Sequence, residues 1–486
     1  MTHNNTHKKI NLTFKSLFVF LSITLLVVFS TVLLSAEWII IVLSAGLLTI
    51  LGLSIAYKWP DMFVILAIWV HFLKGLFIPK LSLGDFGTTP FMVFVTLAVV
   101  GYGLQIILGK RQFVLPVGFL FLLIFIGFTT FSLLVVQDFR AAIGVYFRTV
   151  LDWALFFVIV QMIVSRKRMQ QLIYALLLQA VVVVSWGILA GIQLERLNVP
   201  RNTLFFWRQF QKNDFAAYLA IVIVIALATI LVSKIRWEKL FSLYLLIMAP
   251  LAWVFTFSRG GFLAIVISVG VFIALERRKR ILQRLFIMLF IVGLFSLTTV
   301  TLAPSSTRDL ALDGLISIVS GESTAQRHTD TIEFRFALAE YATGIIAEKP
   351  ILGVGFNQWQ FYSPVKTRIY EAQTGQFREV GFSIHNRFLL IAANSGIIAL
   401  VGYIGYLIFV ILLGVRSRRY ANQWTKTYLN AFISSIIGIQ VALLFAPFVV
   451  WEWPTLGILA GLINLVEIET KGTLSLMQRI QLKLKT

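Results

Sequence analysis

Histidine is scarce in this chain, and one of its five histidines stands where chemistry could be done. His385 and Asn386 lie where a long polar segment, which begins at Pro304, meets an apolar run that starts at Phe388. An imidazole titrates near neutral pH, so it can act as a general base towards a hydroxyl group. It can equally serve as an interfacial cap between loop and helix. The sequence leaves both roles open for His385.

Several arginines stand at the ends of apolar runs, where they could meet an anion. Arg201 and Arg208 precede the run at 214–233, Arg259 lies between two apolar runs beside Gly260 and Gly261, and Arg335 begins an amphipathic stretch. A guanidinium group can bind phosphate through two parallel hydrogen bonds. The alternative for each arginine is an anchor to lipid headgroups. The neighbouring glycines favour anion binding for Arg259, because a ligand can come close to the backbone there.

The composition identifies the class of protein that must position these residues. The chain is 59% hydrophobic and 13% charged, with a mean hydropathy of +0.89. These values predict an all-α, polytopic integral membrane helix bundle. The chain has no cysteine, which excludes disulfides, thiolate metal sites and thiol nucleophiles. The net charge of +21 is explained by basic cytoplasmic turns, so we expect no nucleic acid partner.

About fourteen apolar runs are long enough to cross a bilayer. They lie near residues 17–35, 38–57, 61–78, 90–108, 113–135, 145–164, 171–191, 214–233, 240–257, 260–275, 284–303, 388–413, 428–447 and 452–468. The sequence thus predicts transmembrane helices 1–11 in residues 1–303, a large extracytoplasmic loop at 304–384, and helices 12–14 with a cytoplasmic tail in 385–486.

Basic residues set the predicted orientation. With the N-terminus in the cytoplasm, the basic clusters at 110–111, 166–168, 234–239, 277–280 and 416–419 all fall in cytoplasmic turns. Both termini are then cytoplasmic and the loop at 304–384 is outside.

The loop itself carries a helical pattern. Apolar residues recur at helical spacing from Phe334 to Ile345, and Pro350 with the following glycines should end that helix. The loop has no pair of histidines at metal-ligand spacing and its acidic residues are scattered, so we expect neither a metal nor a cofactor.

Four short stretches resemble motifs of the O-antigen ligase/polymerase family of bacterial envelope glycosyltransferases. Together they cover roughly residues 200 to 410, in the family's order. They are Asn213 to Leu219 (like NxxAxYL), Phe257 to Gly261 (like SRG), Glu348 to Phe356 (like PLLGxG), and His385 to Leu389 with Ser395 to Ile398 (like HNxxL…GxxG). Two positions depart from the family pattern: Asn394 stands where an acidic residue is common, and Arg208 where glycine is frequent.

The resemblance implies a glycosyltransferase that acts on a polyprenyl-pyrophosphate-linked oligosaccharide. In that reading His385 deprotonates the acceptor hydroxyl. The arginines bind the leaving pyrophosphate without a metal, and a single displacement inverts the anomeric centre. The arginines are Arg259, Arg335, Arg208 and Arg201.

The acceptor is left open by this resemblance. The N-terminus, rich in Asn, Lys and Ile, suggests an AT-rich, Gram-positive genome without a lipid A core. We therefore favour a polymerase of a cell-wall glycan, such as teichuronic acid, over a ligase that uses another acceptor. A transporter or flippase of the same lipid-linked glycan is the alternative from a different class, although few polar residues interrupt the apolar runs. Besides membrane lipid, a flippase and a chain-length regulator are candidate protein partners.

Overall fold

The computed structural model describes residues 51–72, 81–83, 86–197, 212–256, 258–276, 329–363, 366–371, 376–381 and 383–483. Helices dominate this part of the chain, which confirms the predicted class of polytopic helical membrane protein. The predicted spans at 17–35 and 284–303 lie outside the described residues.

Nine helices precede the polar segment in the described part of the chain. They are α1 (Leu51–Lys58), α2 (Pro60–Phe72), α3 (Pro90–Ile107), α4 (Phe119–Phe131), α5 (Phe139–Met162), α6 (Arg166–Leu197), α7 (Lys212–Val232), α8 (Arg236–Val254) and α9 (Arg259–Glu276). A short antiparallel hairpin, β1 (Leu81–Leu83) with β2 (Phe86–Thr88), stands between α2 and α3. A 3₁₀ turn, Ser132–Val135, continues α4.

The polar segment folds into more than short helices. It contains α10 (Thr329–Glu348), the single-turn helix α11 (Trp359–Tyr362) and an antiparallel hairpin, β3 (Lys366–Glu371) with β4 (Gln376–Gly381). The sequence did not predict either hairpin. Three helices complete the chain: α12 (Arg387–Ser417), α13 (Gln423–Leu443) and α14 (Glu452–Lys483).

Six of the described helices are long and apolar enough to cross a membrane, and a seventh span results if the bent pair Leu51–Lys58 and Pro60–His71 counts as one. Phe119–Val135 and Gly260–Glu276 are shorter apolar helices. The total of about fourteen spans stays a prediction.

The chain divides into two compact units. The first consists of Met1–Phe63 with Leu97–Arg111, and in its described part Tyr102 donates to the carboxylate of Asp61, which also lies 3.5 Å from Arg111 Nη1. The second unit, Val64–Thr96 with Gln112–Thr486, holds every family-like motif.

Helix α7 forms the centre of the second unit. It packs against α6, α8, α9 and α13, and 83% of its most apolar window is buried. Its sequence is apolar on all sides, as is typical of a helix enclosed by others. The family-like residues at its start, beginning with Asn213, are therefore held by a rigid element.

Contacts between turns in the second unit fall into two groups. Turns assigned to the cytoplasm meet each other: Arg166 stacks over Trp424 at 4.9 Å, and Arg418 donates to the carbonyl of Leu275. Two segments assigned to the outside also meet each other, since Gln358 contacts Asp138. Which of the two groups faces the cell exterior stays a prediction.

Candidate active site

The turn that follows α10, here called the glycine turn (Pro350 to Gly355), is bonded through its backbone to α12. Helix α10 ends at Glu348, just before Pro350, as the sequence predicted. The bonds replace helical hydrogen bonds that α12 lacks at its break. They run from Val354 N to Ala393 O (2.8 Å), from Gly355 N to Asn394 O (3.1 Å) and from Ile397 N to Pro350 O (2.7 Å).

Glycine is required on both sides of this joint. Gly396 breaks α12 with a φ of 86°, and a Cβ carbon there would lie 1.8 Å from Ile351 O. Gly353 has a φ of 63°, and its Cβ would lie 2.3 Å from Ala393 O. Two of the family-like motifs are therefore one structural joint, the glycine joint, which consists of the glycine turn and residues 393–397 of α12.

Asn394 has a structural role in the glycine joint. Its side-chain oxygen accepts a hydrogen bond of 3.0 Å from the backbone N–H of Trp359, at the start of α11. A carboxylate oxygen could accept the same bond. Asn394 thus fixes the start of α11 against α12.

A buried glutamine ties the glycine joint to α5. Gln358 is fully buried, and its side-chain oxygen accepts from the backbone N–H groups of Gln137 and Asp138, both at 3.0 Å. Asp138 in turn caps α5 by accepting from Ala141 N at 2.9 Å. The segment around Gln358 is thus fixed to the start of α5.

His385 lies half-buried at the junction between the polar segment and α12. The residue after it, Asn386, is the N-cap: its side-chain oxygen accepts from Phe388 N at 3.0 Å and Leu389 N at 3.1 Å. The capping role that the sequence left open for His385 therefore belongs to Asn386. The imidazole is not needed to cap the helix.

Residues close in sequence to Arg335 and His385 belong to the same apolar cluster. This cluster contains Leu338 of α10 and Ile384, which directly precedes His385. Arg335 stands one helical turn before Leu338, so it lies on the same side of α10. The predicted helix is confirmed here, although Tyr341 is 42% exposed and Ala342 takes its place in the core.

A second joint, the serine joint, unites the other two family-like motifs. Ser258 is 2% exposed, and its Oγ donates to the side-chain oxygen of Asn213 at 2.8 Å. The same Oγ accepts from Gly261 N at 3.1 Å and so caps α9. A Cβ on Gly261 would lie 2.1 Å from Ala216 Cβ, so the two helices touch there.

Arg259 is the first residue of α9, directly after the serine cap. Its backbone is thereby fixed by the serine joint, while its side chain lies outside what the structure describes. Arg201 and Arg208 lie outside the described residues, and Asn213, five residues after Arg208, belongs to the serine joint.

A segment that the sequence analysis did not single out touches both sides of the site. The α13–α14 loop (Leu444 to Trp451) approaches the serine joint, where a Cβ on Gly260 would lie 3.1 Å from Phe445 Cβ. It also meets the start of α12, where Arg387 Nη1 donates to Pro447 O at 3.4 Å. The loop therefore bridges the elements that carry Arg259 and His385.

Buried polar residues make hydrogen bonds at the end of this loop. Glu452, 1% exposed, accepts a hydrogen bond from Tyr403, whose hydroxyl also lies 2.9 Å from the side chain of Gln440. His71 Nε2 lies 3.0 Å from Val450 O, and its Nδ1 lies 3.8 Å from the carboxylate of Asp152. The sequence offered a weak signal for this group, namely ionisable residues inside or beside apolar runs.

No group of three His, Asp or Glu side chains able to hold a metal ion occurs among the described residues. The expectation of a metal-independent reaction stays a prediction.

The comparison with known families agrees with the motifs. Residues 243–404 match a family model described as O-antigen ligase. The matched region includes the serine cap, the glycine joint and His385. A search of the curated proteins found no similar sequence. The resemblance seen in the sequence is therefore confirmed over residues 243–404, which are similar to the O-antigen ligase family.

Proposed function

We propose that this membrane protein polymerises polyprenyl-pyrophosphate-linked saccharide repeat units of a cell-envelope polysaccharide at the outer face of the cytoplasmic membrane. The observation that supports it is the pairing of the four family-like motifs into two joints. The glycine joint shares an apolar cluster with Ile384, the residue before His385, and the serine joint fixes the backbone of Arg259, while the α13–α14 loop touches α9 and the start of α12.

The proposed reaction is a single displacement at the anomeric carbon of the donor sugar. The acceptor hydroxyl oxygen bonds to that carbon as His385 takes its proton, and the bond from the carbon to the pyrophosphate oxygen breaks. Polyprenyl pyrophosphate leaves with the bonding electrons, and the configuration at the carbon inverts. Because Asn386 caps α12, the neighbouring imidazole can perform this role without loss of the cap.

Cationic side chains offset the negative charge that develops on the leaving group. Arg259 and Arg335 are the principal candidates, and Arg208 and Arg201 are further candidates. Fixed guanidinium groups stabilise such a charge without reorganisation at the moment of reaction. We therefore propose that the reaction needs no divalent metal.

The fate of the polyprenyl carrier separates a polymerase from a ligase. Purified protein in detergent is mixed with lipid-linked repeat units, and the products are treated with mild acid, which cleaves a sugar pyrophosphate. A polymerase gives longer glycans that remain on the carrier and are released by the acid. Glycans that have moved to a different, acid-stable acceptor would instead indicate a ligase.

The same mixture tests the transporter alternative. A flippase would not join units in detergent, where no membrane separates two compartments. Units that stay single in detergent, but cross the bilayer of proteoliposomes, would contradict the proposed function.

A further inference from the structure

We propose that Arg387 and the α13–α14 loop hold the lipid end of the donor. Arg387 binds the pyrophosphate, and Phe445 and Phe448 contact the first isoprenoid units. The inference rests on the proposed function, since it assigns the subsite of the same donor.

The guanidinium group of Arg387 has a hydrogen-bond donor that no protein atom accepts in the described part of the chain. It is half-buried in the first turn of α12, and its Nε makes no hydrogen bond. Nη1 reaches Pro447 O at 3.4 Å, which is long for such a bond, and no ion pair within 4 Å involves Arg387 among the described residues. The buried carboxylate of Glu452 attracts it from farther away. A guanidinium held in this way can accept an anion without breaking a strong contact.

Large apolar side chains are exposed beside this cation. Leu444, Phe445 and Phe448 are 46%, 37% and 42% exposed, while the intervening Ala446 and Pro447 are buried. A cluster of exposed apolar side chains often marks a binding surface. A cation next to exposed aromatic rings complements a molecule with an anionic head and an apolar chain.

The position of this surface favours the donor over a bulk phospholipid. Phe445 lies against Gly260, the residue after Arg259, and Arg387 follows His385 by two residues. A pyrophosphate bound to Arg387 would therefore stand beside the proposed base. Its prenyl chain would pass over the loop beside the serine joint.

The test measures binding of defined probes to the purified full chain. The probes are inorganic pyrophosphate, farnesyl pyrophosphate and undecaprenyl pyrophosphate, each in competition with phosphatidylglycerol. The double variant F445A/F448A should bind the two prenyl probes about 10-fold more weakly and inorganic pyrophosphate as well as wild type does. Arg387→Gln should weaken binding of all three probes by about 10-fold or more.

Matched variants control for damage to the fold. Leu412→Ala removes an apolar side chain elsewhere, on α12, that is 59% exposed and far along the helix from Arg387; this variant should bind every probe like wild type. The variant F445L/F448L keeps an apolar surface and should recover most prenyl binding.

Three outcomes would overturn the inference: unchanged prenyl binding in F445A/F448A, unchanged pyrophosphate binding in Arg387→Gln, or equal competition by phosphatidylglycerol. If wild type joins units but these variants bind the probes as wild type does, the inferred subsite is wrong and the proposed function stands. If the variants behave as expected but wild type joins no units, the proposed function fails while the subsite stands.

Discussion

Gly396 of α12 and Ile351 of the glycine turn meet backbone to backbone, so closely that a Cβ carbon on Gly396 would lie 1.8 Å from Ile351 O. This contact joins two motifs that are distant in the sequence. The break in α12 leaves backbone groups unpaired, and the glycine turn supplies their partners.

Gly396→Ala should therefore destabilise the protein strongly. The new methyl group would clash with a carbonyl oxygen, and the φ of 86° disfavours any side chain, so we expect a loss of about 3 kcal/mol or more. Thermal unfolding in detergent measures the effect. Gly344→Ala is the matched control, because a Cβ on Gly344 of α10 meets nothing within 4 Å and should change the stability by about 1 kcal/mol or less. Equal unfolding temperatures for the two variants would contradict the account.

Ser258→Ala should weaken the serine joint. The substitution removes the cap of α9 and the bond to Asn213, each worth about 1 kcal/mol. In a double-mutant cycle, Ser258→Ala and Asn213→Ala should show a coupling of about 1 kcal/mol in unfolding free energy. Thr343→Ala, which loses a local bond to Glu340 O at an exposed site, should leave stability almost unchanged. Strictly additive effects at Ser258 and Asn213 would show that the bond contributes nothing.

Arg259→Lys should be nearly as harmful as Arg259→Ala. An ammonium group cannot reproduce the planar fork of a guanidinium against a pyrophosphate. Loss of one such contact to the leaving group should raise the barrier by about 3 kcal/mol, or lower the rate about 100-fold. The rate of glycan joining, at equal protein level, measures this. A Lys variant with the wild-type rate would exclude the two-bond contact.

Single cysteines can test the orientation, because the chain has no native cysteine. Thr343→Cys, exposed on α10, should react with an impermeant thiol reagent in intact cells, since we expect the loop outside. Ser417→Cys, at the last residue of α12 and beside the basic turn, should react only after the membrane is opened. The reverse pattern of labelling would invert the topology.

Much of the fold was predictable because its signals are local. Apolar length indicated the polytopic helical class, and the helical spacing of Leu338 and Ile345 with Pro350 indicated α10 and its end. The hairpins were missed, since Lys366–Glu371 and Gln376–Gly381 are mixed polar stretches without clear alternation.

The site was less predictable because its contacts are distant in sequence. The motifs indicated His385 and Arg259, but the pairing of Ser258 with Asn213 exists only in three dimensions. Arg387 was part of a quoted motif, yet its contact with Pro447, 60 residues later, gave no signal in the sequence. The role of Glu452 was missed for the same reason. It stands at the start of an apolar run, and its partner Tyr403 comes close only in the folded chain.

We propose that His385 is the general base of glycan joining. A neutral imidazole is needed, so wild-type activity should fall as the pH drops below the pKa of an imidazole, about 6.5 when unperturbed. His385→Gln keeps some hydrogen bonding without a comparable base, so it should be as inactive as His385→Ala. Folding of both variants is checked by thermal unfolding.

The most direct measurement compares purified wild type and His385→Ala with lipid-linked repeat units, in the presence of a chelator that removes divalent metal. We expect longer glycans from wild type and only single units from His385→Ala, although the variant is folded. Glycans of equal length and yield from both proteins would contradict the assignment of His385 as the base.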